Sequence, residues 1–198
     1  GYNNAANFMW CAAQNSETNA VKTGIINWTS WVSNQTTFGY TGASTSLYVV
    51  IDRSMYDRIS DTDWRKKQWV APAGSALEGM TPFMSVTDKE TMPAYASVKF
   101  RPNAGDGEDY LVGASAAVPL MRIEEMYFIE MEAVLNTEGL GKAQELLNEF
   151  MQTYRYRPYN GCDYINTKEL FIKEMMLQKR IEFWGEGILM FDYKRLNQ

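Results

Sequence analysis

The chain has 198 residues, of which 45% are hydrophobic, 22% charged and 14% aromatic; this is a globular composition and excludes a disordered tail, a collagen-like repeat or a coiled-coil rod. Lys and Arg number 19 against 24 Asp and Glu, a formal net charge of −5, so no basic surface is offered to nucleic acid. Histidine is absent, which removes the usual general base, the commonest metal ligand and every Ser-His or Cys-His catalytic pair.

Up to Val50 the only charged residues are Glu17 and Lys22, while Asn, Thr and Ser recur among Phe8, Trp10, Trp28, Trp31, Phe38, Tyr40 and Tyr48. Short amide and hydroxyl side chains divert backbone hydrogen bonds into turns, so this part reads as loops on a scaffold, with a short helix near 24–33. Trp10 and Tyr48 are assigned to the core. Leu47 to Ile51 reads as a short strand or a buried apolar run. Cys11 follows Phe8-Met9-Trp10, which are too bulky for a lipoprotein cleavage site and lack a basic run before them. A targeting segment, if the protein has one, is expected outside this sequence. Cys11 and Cys162 fit two buried thiols, or one bridge in an oxidising compartment. No stretch approaches 18 consecutive apolar residues, so no spanning helix is expected.

Residues 52–118 carry little regular structure. Asp61-Thr62-Asp63-Trp64-Arg65-Lys66 looks like a helix start, and Pro72, Gly74, Gly79, Pro82 and Pro93 punctuate the stretch after it. Tyr95 to Phe100 alternates as a short strand would, and Gly105-Asp106-Gly107 turns the chain. Asp106, Glu108 and Asp109 lack the spacing of a calcium loop and read as a solvated turn.

From Pro119 the pattern turns helical. Pro119 suits a first helical turn, and Leu120, Ile123, Tyr127, Met131 and Val134 come at the steps of a helical stripe. Met126, Ile129 and Ala133 give this helix a second apolar face. Gly139 and Gly141 end it, and Ala143, Leu146, Leu147, Phe150, Met151 and Tyr154 form one clean face on the next. A third helix starts near Asn166, with Glu169 three residues on as in a capping box. It carries Leu170, Leu177, Ile181 and Trp184 on one side and Ile172, Met176 and Phe183 on another, and Gly185 closes it. Ile188 to Leu196 reads as a short last helix. The expected fold is mainly α: antiparallel, tetratricopeptide-like helix hairpins decorated by long loops and a few short strands. A loop-rich region, 1–118, would precede a helical scaffold, 119–198.

The segment from Pro119 to Ala133, with Arg122, Glu132 and Ala133, then a glycine and Ala143-Gln-Glu-Leu-Leu-Asn148, resembles the SusD/RagB family. So does Lys179-Arg180-Ile181-Glu182-Phe183-Trp184-Gly185-Glu186-Gly187 with Phe191-Asp192-Tyr193-Lys194-Arg195, where Lys179 and Leu189 replace the family's usual Glu and Arg. Tyr56-Asp57 and Asp61 to Lys66 match more loosely. The resemblance implies a SusD-like fold and a non-catalytic, cell-surface glycan-binding subunit, lipid-anchored in the outer membrane through a segment outside this sequence. It further implies a nutrient-uptake complex with a SusC-like TonB-dependent transporter as partner, and no cofactor. Members are about twice this long, so the chain looks like a C-terminal half. Some relatives take peptides, and a scaffold half that docks on the transporter, with its ligand contacts elsewhere, is the alternative.

A sugar ring offers an apolar face and a belt of hydroxyls, which calls for a flat aromatic surface with amide and hydroxyl partners. Residues 24–42 supply this chemistry without a charge. Trp28 and Trp31, three apart, would share one side of a helical turn, with Asn27, Asn34, Gln35 and Tyr40 as hydrogen-bonding groups. From the residues alone both tryptophans read rather as core aromatics; the resemblance, which places ligand loops here, brings the ligand reading of Trp28 or Trp31 level with that one. The acidic pairs Glu124/Glu125, Glu130/Glu132 and Glu182/Glu186 could suit a glycosidase. They lie on helices with core faces, beside Arg122 and Arg180, and read as ion pairs that organise the helices. Asp192 and Arg195 are likewise assigned to structure.

Overall fold

The computed structural model describes residues 6–13, 17, 32–36, 45–101, 108–109 and 117–196. The expected helix near 24–33 lies largely outside them, as do Asn27, Trp28, Trp31, Tyr40 and the Gly105-Asp106-Gly107 turn. The chain forms two units, one of residues 1–61 and 66–123, the other of 62–65 and 124–198.

In the first unit, β1 (Phe8–Ala12) is followed by α1 (Arg53–Asp57), a 3-10 turn at Trp64–Gln68 that begins in the other unit, α2 (Val86–Thr91) and β2 (Val118–Arg122). β2 pairs antiparallel with β1, Cys11 opposite Pro119 and Ala12 opposite Val118. Pro119 therefore sits in an edge strand, where proline is tolerated, and the helix begins three residues after the first residue of its apolar stripe, Leu120. Trp10 projects from this ribbon 67% exposed, which corrects its assignment to the core.

Three extended segments replace the two expected strands. Val50 and Trp69 make single bridges to Ala96 and Ser97, and Val98 N–H donates to Gln68 O at 2.8 Å. The run is broken at Tyr95, whose φ of 71° is left-handed backbone rarely adopted by a bulky side chain. Asp52 caps α1 by accepting from Met55 N–H at 3.2 Å, and α1 buries Met55 and Tyr56. α2 is not anticipated by a Pro- and Gly-rich stretch; Ser85 and Asp88 build a complete capping box for it.

The second unit holds the large core. α3 (Ile123–Thr137) and α4 (Leu140–Tyr154) are joined by Glu138-Gly139 into an antiparallel hairpin, followed by α5 (Lys168–Glu182) and α6 (Leu189–Arg195). Gly139 takes φ 101°, a conformation that glycine adopts without strain. Phe128, Met131 and Leu135 of α3 meet Ala143, Leu147, Phe150 and Met151 of α4 and Phe171, Met175 and Phe183 in and after α5. Burial of each phenylalanine contributes roughly 1.5–3 kcal/mol, and Phe128 lies edge-on to Phe150 at 5.4 Å and to Phe183 at 5.7 Å. On α5 the inward face is Phe171, Met175, Gln178 and Ile181, whereas Leu170 is 40% exposed. The stripe through Leu170 is thus rotated by one residue, and the cap moves with it: Thr167, not Asn166, accepts from Leu170 N–H at 3.2 Å. Among the described residues no helix is long and apolar enough to cross a membrane. Both cysteines are free thiols, Cys162 buried and Cys11 partly exposed.

Candidate functional site

Asn34 and Gln35 are the predicted ligand groups that fall within the described residues. Asn34 is 3% exposed. Its Nδ2 donates to Val49 O at 2.8 Å and Ser97 O at 3.0 Å, and its Oδ1 accepts from Val49 N–H at 2.8 Å. One amide thus stitches two extended segments, leaving little of it to offer a ligand. Gln35 reaches outward: Nε2 donates to Phe83 O at 2.8 Å and to Asp88 Oδ2 at 3.1 Å. Its Oε1 is buried with no hydrogen-bond partner among the described residues.

Gln35 holds an unusual feature. Phe83 takes φ 63°, a strained choice for an aromatic residue, and presents a ring 66% exposed. The Arg101 guanidinium lies 4.7 Å from the ring centroid, within cation–π range. The bond to Phe83 O and the α2 capping box fix the segment on both sides. Nothing in the sequence marks Phe83; its exposure comes from a backbone conformation that propensities do not anticipate.

The helical unit is organised by charge. Arg65 is buried, donating to Asp63 at 2.6 Å, Gln178 at 2.6 Å and Glu182 at 3.2 Å. Burial opposes its charge, but the hydrogen bond and the negative charge of Asp63, with those of Glu182, outweigh it and raise the guanidinium above its ordinary value. Arg155 joins Glu182 at 2.8 Å and Glu124 at 3.4 Å. Lys179 pairs with Asp192, and Arg195 with Glu132 and Asp192. Glu124, Glu132 and Glu182 are therefore ion-paired, with Arg155, Arg195 and the Arg65–Arg155 pair respectively. Glu124, Glu132, Lys179, Glu182, Asp192 and Arg195 of the two motif blocks, and Asp63 and Arg65 of the looser one, meet in these networks.

Two concavities open on this unit. A cleft of about 600 Å³ is lined by Ile129, Ile188 and Phe191 beside the Glu132, Lys179, Asp192 and Arg195 pairs; Phe191 is 72% exposed. A smaller cup of about 230 Å³ is lined by Tyr127, Phe150 and Tyr154 with Glu130 and Glu149. Among the described residues no cluster of His, Cys, Asp and Glu could hold a metal ion.

A mainly helical hairpin scaffold knit by buried ion pairs, with a loop-built, aromatic-bearing unit beside it in sequence, defines the class of protein. The chain belongs to the SusD family, whose model matches residues 35–198. It is similar in structure to a SusD-like carbohydrate binding protein from Bacteroides vulgatus, with a TM-score of 0.65 and 22% identity, over 100% of this chain and 36% of that one. The chain thus spans about a third of that protein's length, and at this identity the likeness bears on the fold. Comparison with curated proteins gave no match.

Proposed function

We propose that the protein is a non-catalytic glycan-binding subunit, whose ligand surface is the loop-rich first unit. The observation that carries this reading is the pairing of family membership over 35–198 with an uncharged, amide-rich segment, 24–42, whose Gln35 anchors the exposed Phe83 ring. In this reading Trp28 and Trp31 stack on sugar faces, while Asn27 and Tyr40 bond hydroxyls. Asn34 and Gln35 position the platform from beneath, and Phe83 adds a ring that the sequence does not mark. The pairing of Glu124, Glu132 and Glu182 with arginines supports a binding role over hydrolysis, since a glycosidase needs two uncommitted acids flanking its bond. The family further suggests outer-membrane surface anchoring through lipid and association with a SusC-like TonB-dependent transporter. The exposed Ile129, Met190 and Phe191 favour such an association for the helical unit, and a peptide ligand remains the second ligand class.

Intrinsic tryptophan fluorescence, titrated with neutral oligosaccharides and with short peptides, tests the reading in wild type and in Trp28→Ala, Trp31→Ala and Phe83→Ala. A saturable change with oligosaccharide, weakened about tenfold in at least one variant (about 1.4 kcal/mol) with circular dichroism unchanged, supports it. Silence toward sugars, together with capture by the transporter, would transfer the role to docking.

A further inference from the structure

We propose that the outer face of the α3–α4 hairpin carries a binding cup for an organic ammonium group, a site separate from the glycan surface. Tyr127 of α3 and Phe150 and Tyr154 of α4 form a triangle of rings. Tyr127 stands 5.2 Å from Phe150 and 5.7 Å from Tyr154, and Phe150 stands 5.7 Å from Tyr154. The phenol oxygens of Tyr127 and Tyr154 are hydrogen-bonded at 3.3 Å, fixing the two rings against each other. At these separations the three rings pack on one another, with Phe150 buried, and the cavity of about 230 Å³ opens beside them, lined also by Met131 and Leu146, room for a small cation but not for an oligosaccharide. Glu130, one turn on from Tyr127, and Glu149, next to Phe150, stand at its rim. Both are exposed, and neither makes an ion pair among the described residues.

By contrast, Glu124 and Glu182 in the core and Glu132 and Asp192 at the larger cleft pair with arginine or lysine. Ring faces carry negative electrostatic potential and attract a cation within about 6 Å. Two carboxylates with no ion-pair partner among the described residues add charge attraction for a cation. Phe150 already stacks a cation on another side, the Arg155 guanidinium at 4.8 Å, and Trp64 does so at 5.5 Å. The ligand is accordingly an ammonium on a small apolar body, either a free alkylammonium or the amine of an amino sugar.

The test is a titration of the 198-residue protein followed by amide chemical shifts. Choline is the probe and 3,3-dimethyl-1-butanol its uncharged isostere; glucosamine against glucose forms the second arm. Choline is expected to give saturable shifts at Tyr127, Glu149 and Tyr154 that weaken with added salt, and the alcohol none. Glu149→Gln should weaken binding about threefold and the Glu130→Gln, Glu149→Gln pair about tenfold; both positions are exposed, so the fold is undisturbed. Saturation by choline and glucosamine alike means that a bare ammonium is read, and saturation by glucosamine alone that the amine is read on a sugar. No saturable shift with either, an equal response to the isostere, or wild-type affinity in the double variant overturns the proposal. Any of these leaves the glycan reading untouched, because the titration of the first unit depends on other residues.

Discussion

Gly161 shows how one missing methyl group can hold a corner of the core open. A Cβ built there would lie 2.5 Å from the Tyr159 hydroxyl and 2.6 Å from Glu174 Oε1. That is where these two groups make their own 2.8 Å hydrogen bond. Glu174 could swing away, but Tyr159 is 3% exposed and has nowhere to go. Gly161→Ala is therefore expected to cost about 1–3 kcal/mol, read as a lowered urea midpoint at unchanged slope. Beside it, the Cys162 thiol is pushed up to about 11 by burial, with the Tyr159 hydroxyl acting in the opposite direction and Glu174 and Asp163 reinforcing the rise. The thiolate is the reactive species. At pH 8 one equivalent of iodoacetamide should label Cys11, which is partly exposed, while Cys162 stays unmodified until urea unfolds the chain. Burial also disfavours the thiolate in the folded state alone. The contribution of Cys162 to stability is thus full below the ordinary thiol value and lost as pH climbs toward 11, and Cys162→Ala should remove that part of the alkaline decline. Equal labelling of both thiols in the native protein would show that the pocket around Tyr159 is open.

Each helix of the second unit is legible where packing and period agree. The faces of α3 and α4 can be read from apolar spacing alone, because Phe128 to Leu135 and Ala143 to Met151 bury their stripes in one shared core. The start of α3 is not legible, because Leu120 continues the helical stripe by chance; pairing with β1, more than 100 residues away, decides its conformation. The segments 47–51 and 95–100 are extended but held by single bridges instead of a ladder, and the left-handed Tyr95 stands at the start of the second, a conformation its composition does not announce. At α5 two capping residues compete and Thr167 is used rather than Asn166, while packing, not the cap, places Phe171 and Met175 rather than Leu170 in the core. Thr167→Ala should cost about 1 kcal/mol, whereas Asn166→Ala should be nearly neutral, as measured by thermal unfolding. Glu169, in the first turn, is held below the usual carboxylate range by backbone N–H bonding and next by the Thr167 hydroxyl. A depressed carboxylate stabilises above its unfolded value and ceases to do so as pH falls through its folded one. Glu169→Gln should therefore lower the neutral plateau slightly and flatten the acid limb of the stability curve, so that the variant and the wild type converge at low pH.

At the scale of the whole molecule, the two main motif blocks of the resemblance and the proposed ligand surface occupy different stretches of the chain. The charged motif residues Glu182, Asp192 and Arg195, with Asp63 and Arg65, are spent on the ion pairs of the helical unit; this is why the family is legible and why its pattern says little about the ligand. Phe83 and the Tyr127 cup leave no mark in the sequence because exposure and concavity arise from folding, not from local spacing. The centre of the scaffold is Arg65, 1% exposed, with Asp63 at 1% and Glu182 at 6%. Arg65→Met keeps most of the volume but leaves two carboxylates with one fewer cation between them. Breaking a buried pair from one side costs about 3–5 kcal/mol, and that is the expected loss in urea unfolding at neutral pH. The charge argument also fixes how the loss depends on pH. Without its guanidinium partner the buried Asp63 keeps a negative charge that nothing at that point offsets, a cost borne by the charged form alone, so the penalty should shrink as pH falls toward 4. Glu182→Gln, which can still accept from Arg65 and Arg155, should cost less than Arg65→Met at every pH. A penalty for Arg65→Met that stays constant from pH 7 to pH 4 would mean that Arg65 holds the unit together by its packing, and that the paired charges around it contribute little.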